Sequence, residues 1–63
     1  MKFEEAFEAM RNGKTVRRKP WKYDYIEIDK TTNRFMITTF ITSKYPYELS
    51  PSALLADDWE IIE

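Results

Sequence analysis

Apolar side chains recur at helical spacing at the start of the sequence. Positions i, i+3, i+4 and i+7 share one face of an α-helix, and they are occupied by Phe3, Ala6, Phe7 and Met10. Gly13, the only glycine in the chain, follows where the end of a helix often requires a positive φ angle. This pattern predicts a helix from about residue 3 to about residue 12.

Strand-like alternation follows the predicted helix. Residues 15–18 predict a first strand, which ends before Pro20 because proline has no backbone N–H to pair. Residues 23–29 and 34–41 both alternate between two sets of side chains, and polar residues separate them. Two such runs joined by a short polar segment predict a β-hairpin.

The last third of the chain predicts a loop at residues 43–47, a helical turn at 52–56 and a final strand at 59–62. Ser50 followed by Pro51 is typical of a helix N-terminus. The whole pattern predicts an α+β fold in a single domain, residues 1–63: an N-terminal helix packed on a small antiparallel β-sheet, with a short helical turn before the last strand. The sheet face away from the helix would display tyrosines and phenylalanines, available to a second copy or a ligand.

Composition excludes several classes of function. The chain has 63 residues and contains neither Cys nor His, which rules out disulfides and the usual structural zinc sites. It offers no imidazole and no activated nucleophile for catalysis. Asp57 and Asp58 are adjacent and would point to opposite sides of a strand, away from any shared metal ion. We therefore expect a binding protein rather than an enzyme, with no metal or cofactor, and a core this small needs either good packing of its aromatic residues or self-association as a homo-oligomer.

Charge is unevenly distributed along the sequence. Basic residues concentrate between Arg11 and Lys22, whereas acidic residues concentrate between Asp57 and Glu63, so we expect the two segments to pair. The net charge of −1 and pI of 5.4 make nucleic acid an improbable partner, because such binding depends on neutralising phosphates. The sequence has neither a membrane-length apolar run nor a signal peptide, which predicts a cytoplasmic location without membrane contact.

The segment from Val16 to Trp21 is the best candidate for a binding surface. If Val16 points into the core, strand alternation places Arg18 on the same side, where a buried arginine requires a partner. That partner is either a carboxylate, Asp57 or Asp58, or the phosphate or carboxylate of a ligand. Trp21 is either a core residue or a platform on which a base stacks. The four tyrosines either line a cleft or form the rim of the sheet, whereas Trp59 reads as core.

Both ends of the chain resemble a known family. The residues that carry the resemblance are Phe3 to Met10, Gly13-Lys14, Val16-Arg17-Arg18 and Trp21 at the start, and Leu54 to Glu60 at the end. They are similar to small phage and prophage proteins that include the second type of Thoeris anti-defence protein, although the middle of this chain is shorter. The resemblance implies an oligomer that sequesters a cyclic ADP-ribose-type signal or cyclic dinucleotide without cleaving it. The family's residues carry over to Arg18, Trp21, Asp58 and Trp59.

Two functional hypotheses follow from these observations. In the first, the protein is a phage-type sponge for a cyclic nucleotide or ADP-ribose-type immune signal in the bacterial host. In the second, it binds and inhibits a host or defence protein through an aromatic sheet face. The predicted ligand-binding residues are Arg18, Trp21, Lys22, Tyr23, Tyr25, Tyr45, Tyr47 and Asp58.

Overall fold

The computed structural model of the protein describes residues 1–39, 41 and 43–62. Its first element is helix α1, Phe3–Arg11, as the apolar spacing predicts. At its start, the Glu5 carboxylate accepts a hydrogen bond of 3.2 Å from the backbone N–H of Lys2. At its end, Gly13 adopts a φ of 86° and its N–H donates to the Met10 carbonyl at 3.0 Å. These contacts satisfy some of the backbone groups that a helix leaves free at its two ends.

The described residues contain five antiparallel strands in a single sheet of order β4-β3-β2-β1-β5. A second helix, α2, spans Pro51–Leu55 and precedes the last strand. The strands are β1 Val16–Arg18, β2 Tyr25–Asp29, β3 Arg34–Thr38, β4 Lys44–Pro46 and β5 Trp59–Ile61. The predicted α+β class is confirmed, and β5 returns beside β1 so that the two ends of the chain meet.

The predicted loop at residues 43–47 is wrong, because most of it forms the edge strand β4. Tyr45 lies opposite Ile37 and Pro46 opposite Met36. Proline is tolerated there because it is the last residue of an edge strand, where no further neighbour needs its N–H. The strand predicted for 34–41 ends at Thr38, and residues 40, 42 and 63 lie outside the described residues.

The β2–β3 hairpin closes through a compact turn. Asn33 has a φ of 59°, and its N–H donates to the Asp29 carbonyl at 2.7 Å. The Asp29 carboxylate also accepts a hydrogen bond of 2.9 Å from the N–H of Thr31. Asn is one of the few residues that tolerates this left-handed conformation, so the turn has a defined shape.

The core lies between α1 and the sheet. Val16, Ile26 and Ile37 are cross-strand neighbours and are buried on the face that α1 covers. Trp59 is only 1% exposed, and its indole Nε1 donates to the Ala53 carbonyl at 3.0 Å. This hydrogen bond joins β5 to α2, and it confirms that Trp59 is a core residue.

The opposite face of the sheet is more polar than the sequence predicts. Arg17 Nε lies 2.7 Å from Glu60 Oε1, and Lys44 Nζ lies 2.8 Å from Glu27 Oε2. Among the described strand residues, Tyr25 is the aromatic side chain that the register places on this face. Phe35 packs on the helix side, and Phe40 lies outside the described residues. The described strands thus place one aromatic side chain, Tyr25, on this face, and the predicted pairing of the basic and acidic segments is confirmed.

Candidate ligand-binding surface

The turn after β1 places Trp21 at the edge of the core. The N–H of Lys19 donates to the Asp58 carbonyl, and the N–H of Trp21 donates to the Arg18 carbonyl, both at 2.9 Å. The Trp21 ring is half-buried and meets Trp59 edge-on, with ring centres 5.7 Å apart and planes at 82°. Its other neighbour is Tyr47, at 6.1 Å and 83°. Trp21 therefore contributes to the core while part of its ring stays open to solvent.

Arg18 has a protein carboxylate as its partner. Its Nε and Nη2 atoms both donate to the Asp58 carboxylate, the second at 3.1 Å, and its guanidinium carbon lies 5.7 Å from the centre of the Trp59 ring. Of the two partners that the sequence allows, the structure has Asp58 rather than Asp57. Arg18 Nη1 donates no hydrogen bond to any of the described residues and remains available.

The ion pair shifts the proton affinities of both groups. Its hydrogen bond lowers the pKa of the Asp58 carboxyl, although partial burial opposes that change. The same hydrogen bond raises the pKa of the Arg18 guanidinium. Both groups are therefore charged at neutral pH, and the planar fork is fixed in one orientation.

The predicted site residues do not all meet. Arg18, Trp21, Tyr47 and Asp58 form one group at the end of the sheet, whose contacts are given above. Tyr25 lies opposite Thr38 and Tyr45 opposite Ile37, so neighbouring positions of β3 place the two tyrosines on opposite sheet faces. Lys22 and Tyr23 are exposed in the segment that follows Trp21. The four tyrosines thus do not line a single cleft.

Comparison with known protein families shows which family the chain belongs to. A family model described as the Thoeris anti-defense 2-like domain matches residues 1–62. The chain belongs to this family. No curated protein gives a match. The match extends through the middle of the chain as well as the two ends that carry the resemblance.

Membership in the Thoeris anti-defense 2-like family supports a role against Thoeris defence. The family is consistent with binding rather than catalysis. Within the described residues, no group of three or more acidic side chains is arranged to hold a metal ion. The described helices are also too short to cross a membrane.

A cleft that the sequence does not reveal lies between the end of α1 and the β2–β3 hairpin. Its volume is about 570 Å³, and it is lined by Phe7, Arg11, Ile28, Lys30, Asn33, Arg34 and Phe35. The apolar lining residues, Phe7, Ile28 and Phe35, belong to the helical and alternating patterns of the sequence, which predict core positions for them. The basic members are scattered over three segments and fall outside any motif. Only the packing of α1 against the hairpin brings them together.

Proposed function

We propose that this protein counters Thoeris defence by binding a cyclic nucleotide or ADP-ribose-type signalling molecule in the host cell and holding it uncleaved. The family supports the anti-defence role. The observation that carries the binding proposal is that the half-buried Trp21 ring and the fixed guanidinium of Arg18 both contact Trp59. An accessible indole next to a preorganised cation suits a ligand with a flat base and a phosphate.

Each residue of this surface has a proposed role. A base stacks on the open part of Trp21, and Tyr47 supports the indole from the side. The free Nη1 of Arg18 and the ammonium of Lys22 neutralise phosphate, while Asp58 holds the guanidinium in place. The Arg18–Asp58 pair forms before the ligand arrives, so little conformational freedom is lost on binding.

Capture without cleavage fits the chemistry of the chain. The sequence contains no His and no Cys, and the Asp58 carboxylate is engaged by Arg18. A sponge needs only stoichiometric binding, so its effect scales with the amount of protein made. The protein-inhibitor alternative has less support, because ion pairs occupy the sheet face it would use.

We also propose that the active form is a homo-oligomer. β5 is an outer strand of the sheet, and Leu55, Ile61 and Ile62 near it are 86%, 42% and 43% exposed. Met1 already pairs with the outer edge of β5 at Trp59, but the exposed apolar side chains form a surface that a second copy would cover. A native mass spectrum tests this, and a monomer at all concentrations would contradict it.

The test of sequestration is recovery of an intact ligand. Purified protein is incubated with a panel of cyclic nucleotides and cyclic ADP-ribose isomers, separated from free ligand and heated. Mass spectrometry should then find the bound compound unchanged. No binding across the panel, or release of a cleaved product, would refute the proposal.

A pair of variants locates the surface. Trp21→Leu keeps apolar volume against Trp59 but removes the stacking plane, and it should weaken binding about ten-fold or more. Leu54→Ala truncates an apolar side chain of α2 that is 47% exposed and should leave the affinity for the ligand unchanged. Equal effects of the two substitutions would place the ligand outside the Trp21 surface.

A further inference from the structure

The cleft between α1 and the β2–β3 hairpin, called here the helix–hairpin cleft, has an apolar floor. Phe7, Ile28 and Phe35 form this floor. The rings of Phe7 and Phe35 are centred 6.1 Å apart, and Phe7 also stacks against Phe3 at 6.0 Å and 22°. Phe7 is nevertheless 38% exposed, because the cleft opens beside it. A ring network of this kind holds the floor in one shape.

The rim of the helix–hairpin cleft is basic. Arg11, Lys30 and Arg34 line it together with Asn33, and no carboxylate is among its lining residues. Lys30 and Arg34 form no ion pair with any described carboxylate. Arg11 contacts Glu8 at 3.3 Å, but both of those side chains are about 60% exposed, so solvent screens that pair.

The turn of the hairpin orients the rim. Asn33 is fixed by its left-handed φ of 59° and by its hydrogen bond to the Asp29 carbonyl. Asp29 is the cross-strand neighbour of Arg34, yet its carboxylate accepts the Thr31 N–H and forms no ion pair with Arg34. The charge of Arg34 is therefore not neutralised by the nearest acid on the adjoining strand.

From this geometry we infer that the helix–hairpin cleft binds a small organic anion. Its flat apolar body rests on Phe7, Ile28 and Phe35, and its phosphate or carboxylate is held by Lys30 and Arg34. The volume of about 570 Å³ is within the range of small-molecule sites, and an apolar floor with a few convergent polar groups is their usual composition. This site is separate from the Trp21 surface, with which it shares no residue.

The first experiment asks whether the cleft needs both an apolar body and a charge. The probes are 1-naphthyl phosphate, uncharged 1-naphthol and inorganic phosphate, each titrated by calorimetry. We expect 1-naphthyl phosphate to bind one-to-one and about ten-fold or more tightly than either fragment. Amide shifts in ¹H–¹⁵N spectra should centre on Phe7, Ile28 and Phe35. Shifts centred elsewhere, or equal affinity for 1-naphthol, would overturn the inference.

The second experiment removes the rim charges. Lys30→Gln with Arg34→Gln should weaken 1-naphthyl phosphate binding about ten-fold or more, because two charge-assisted contacts are lost. Lys14→Gln with Lys19→Gln removes the same net charge from exposed positions outside the cleft and should change the affinity less than about two-fold. Equal weakening by both pairs would overturn the inference.

Separate controls test whether each variant is folded and which anionic group the cleft binds. Circular dichroism checks that each variant is folded, and Lys30→Arg keeps the charge and should retain binding. Replacing 1-naphthyl phosphate by 1-naphthoate distinguishes a phosphate from a carboxylate headgroup, and failure of both probes overturns the inference. Trp21→Leu should leave the affinity for 1-naphthyl phosphate unchanged, so this test and the test of signal capture fail independently.

Discussion

Replacing Trp59 by phenylalanine tests the central contact of the fold. The indole is 1% exposed and contacts Phe3 edge-on at 5.5 Å and Trp21 at 5.7 Å. Its Nε1–H is bound by the Ala53 carbonyl at 3.0 Å. Phenylalanine keeps an aromatic ring in the same position but lacks the donor and about three ring atoms.

The expected cost has two parts. At about 0.8 kcal/mol for each buried methylene-sized group, the two carbons among the lost ring atoms account for roughly 1.6 kcal/mol. The lost hydrogen bond adds about 1 kcal/mol, because the Ala53 carbonyl loses the closer of its two donors and keeps only the Ala56 N–H at 3.4 Å. The free energy of unfolding should therefore fall by about 2.5 to 3 kcal/mol. Domains of this size have a total stability of roughly 3 to 5 kcal/mol, so Trp59→Phe should be folded only marginally.

Urea unfolding followed by circular dichroism at 222 nm measures this change. Trp21→Phe is the matched control, since the Trp21 indole N–H donates to no described residue and the ring is partly exposed. We expect the control to lose about 1 kcal/mol or less. A loss below about 1 kcal/mol for Trp59→Phe, or equal losses for the two variants, would refute the assignment of Trp59 as the residue that joins β5 to α2.

Three further predictions concern single contacts. Gly13→Ala should lower the free energy of unfolding by about 1 kcal/mol in a thermal melt, because a φ of 86° is strained for alanine. Steric contact does not add to this cost, since nothing lies within 4 Å of the new methyl group. Gly13→Asn should lower the free energy of unfolding by less, because asparagine tolerates a positive φ. Ser50→Ala should cost about 1 kcal/mol by thermal melting, because the Ser50 hydroxyl accepts the Ala53 N–H at 3.3 Å, and Ser52→Ala should cost clearly less. Asp58 has a lowered pKa in the folded state, so its stabilising effect is complete above the unfolded pKa of about 3.9 and is lost as pH falls through the folded value. Acid melts of Asp58→Asn should therefore depend less on pH below about 4 than those of the native protein, while Asp57→Asn should behave like the native protein.

Local patterns were sufficient to predict most of the fold. The spacing of apolar residues in α1 and the cap formed by Ser50 depend on neighbours within a few positions, so the sequence displays them directly. Strand β4 differs, because Lys44–Pro46 contains a proline and becomes a strand only by pairing with β3. That pairing is a tertiary effect, which local preference does not show.

Of the two candidate surfaces, the sequence predicted part of the Trp21 surface and nothing of the helix–hairpin cleft. Strand alternation predicted that Arg18 would need a partner but left Asp57, Asp58 and a ligand as alternatives, and the pairing of β1 with β5 selects Asp58. The helix–hairpin cleft could not be predicted, because Arg11 and Arg34 are far apart in sequence and meet only when α1 crosses the sheet. The sequence predicts Phe7 as a core residue, and only the structure shows that its ring is partly exposed to the cleft.

The edge-on contact of Trp21 with Trp59 also gives the protein a built-in optical signal. These are the only tryptophans in the sequence, and their ring centres are 5.7 Å apart with planes at 82°. At that separation excitation energy can pass between the two indoles, one of which is buried in the core. A compound that stacks on Trp21 should therefore change the emission of the whole molecule. Signal capture can be followed on the unlabelled protein, with no dye attached.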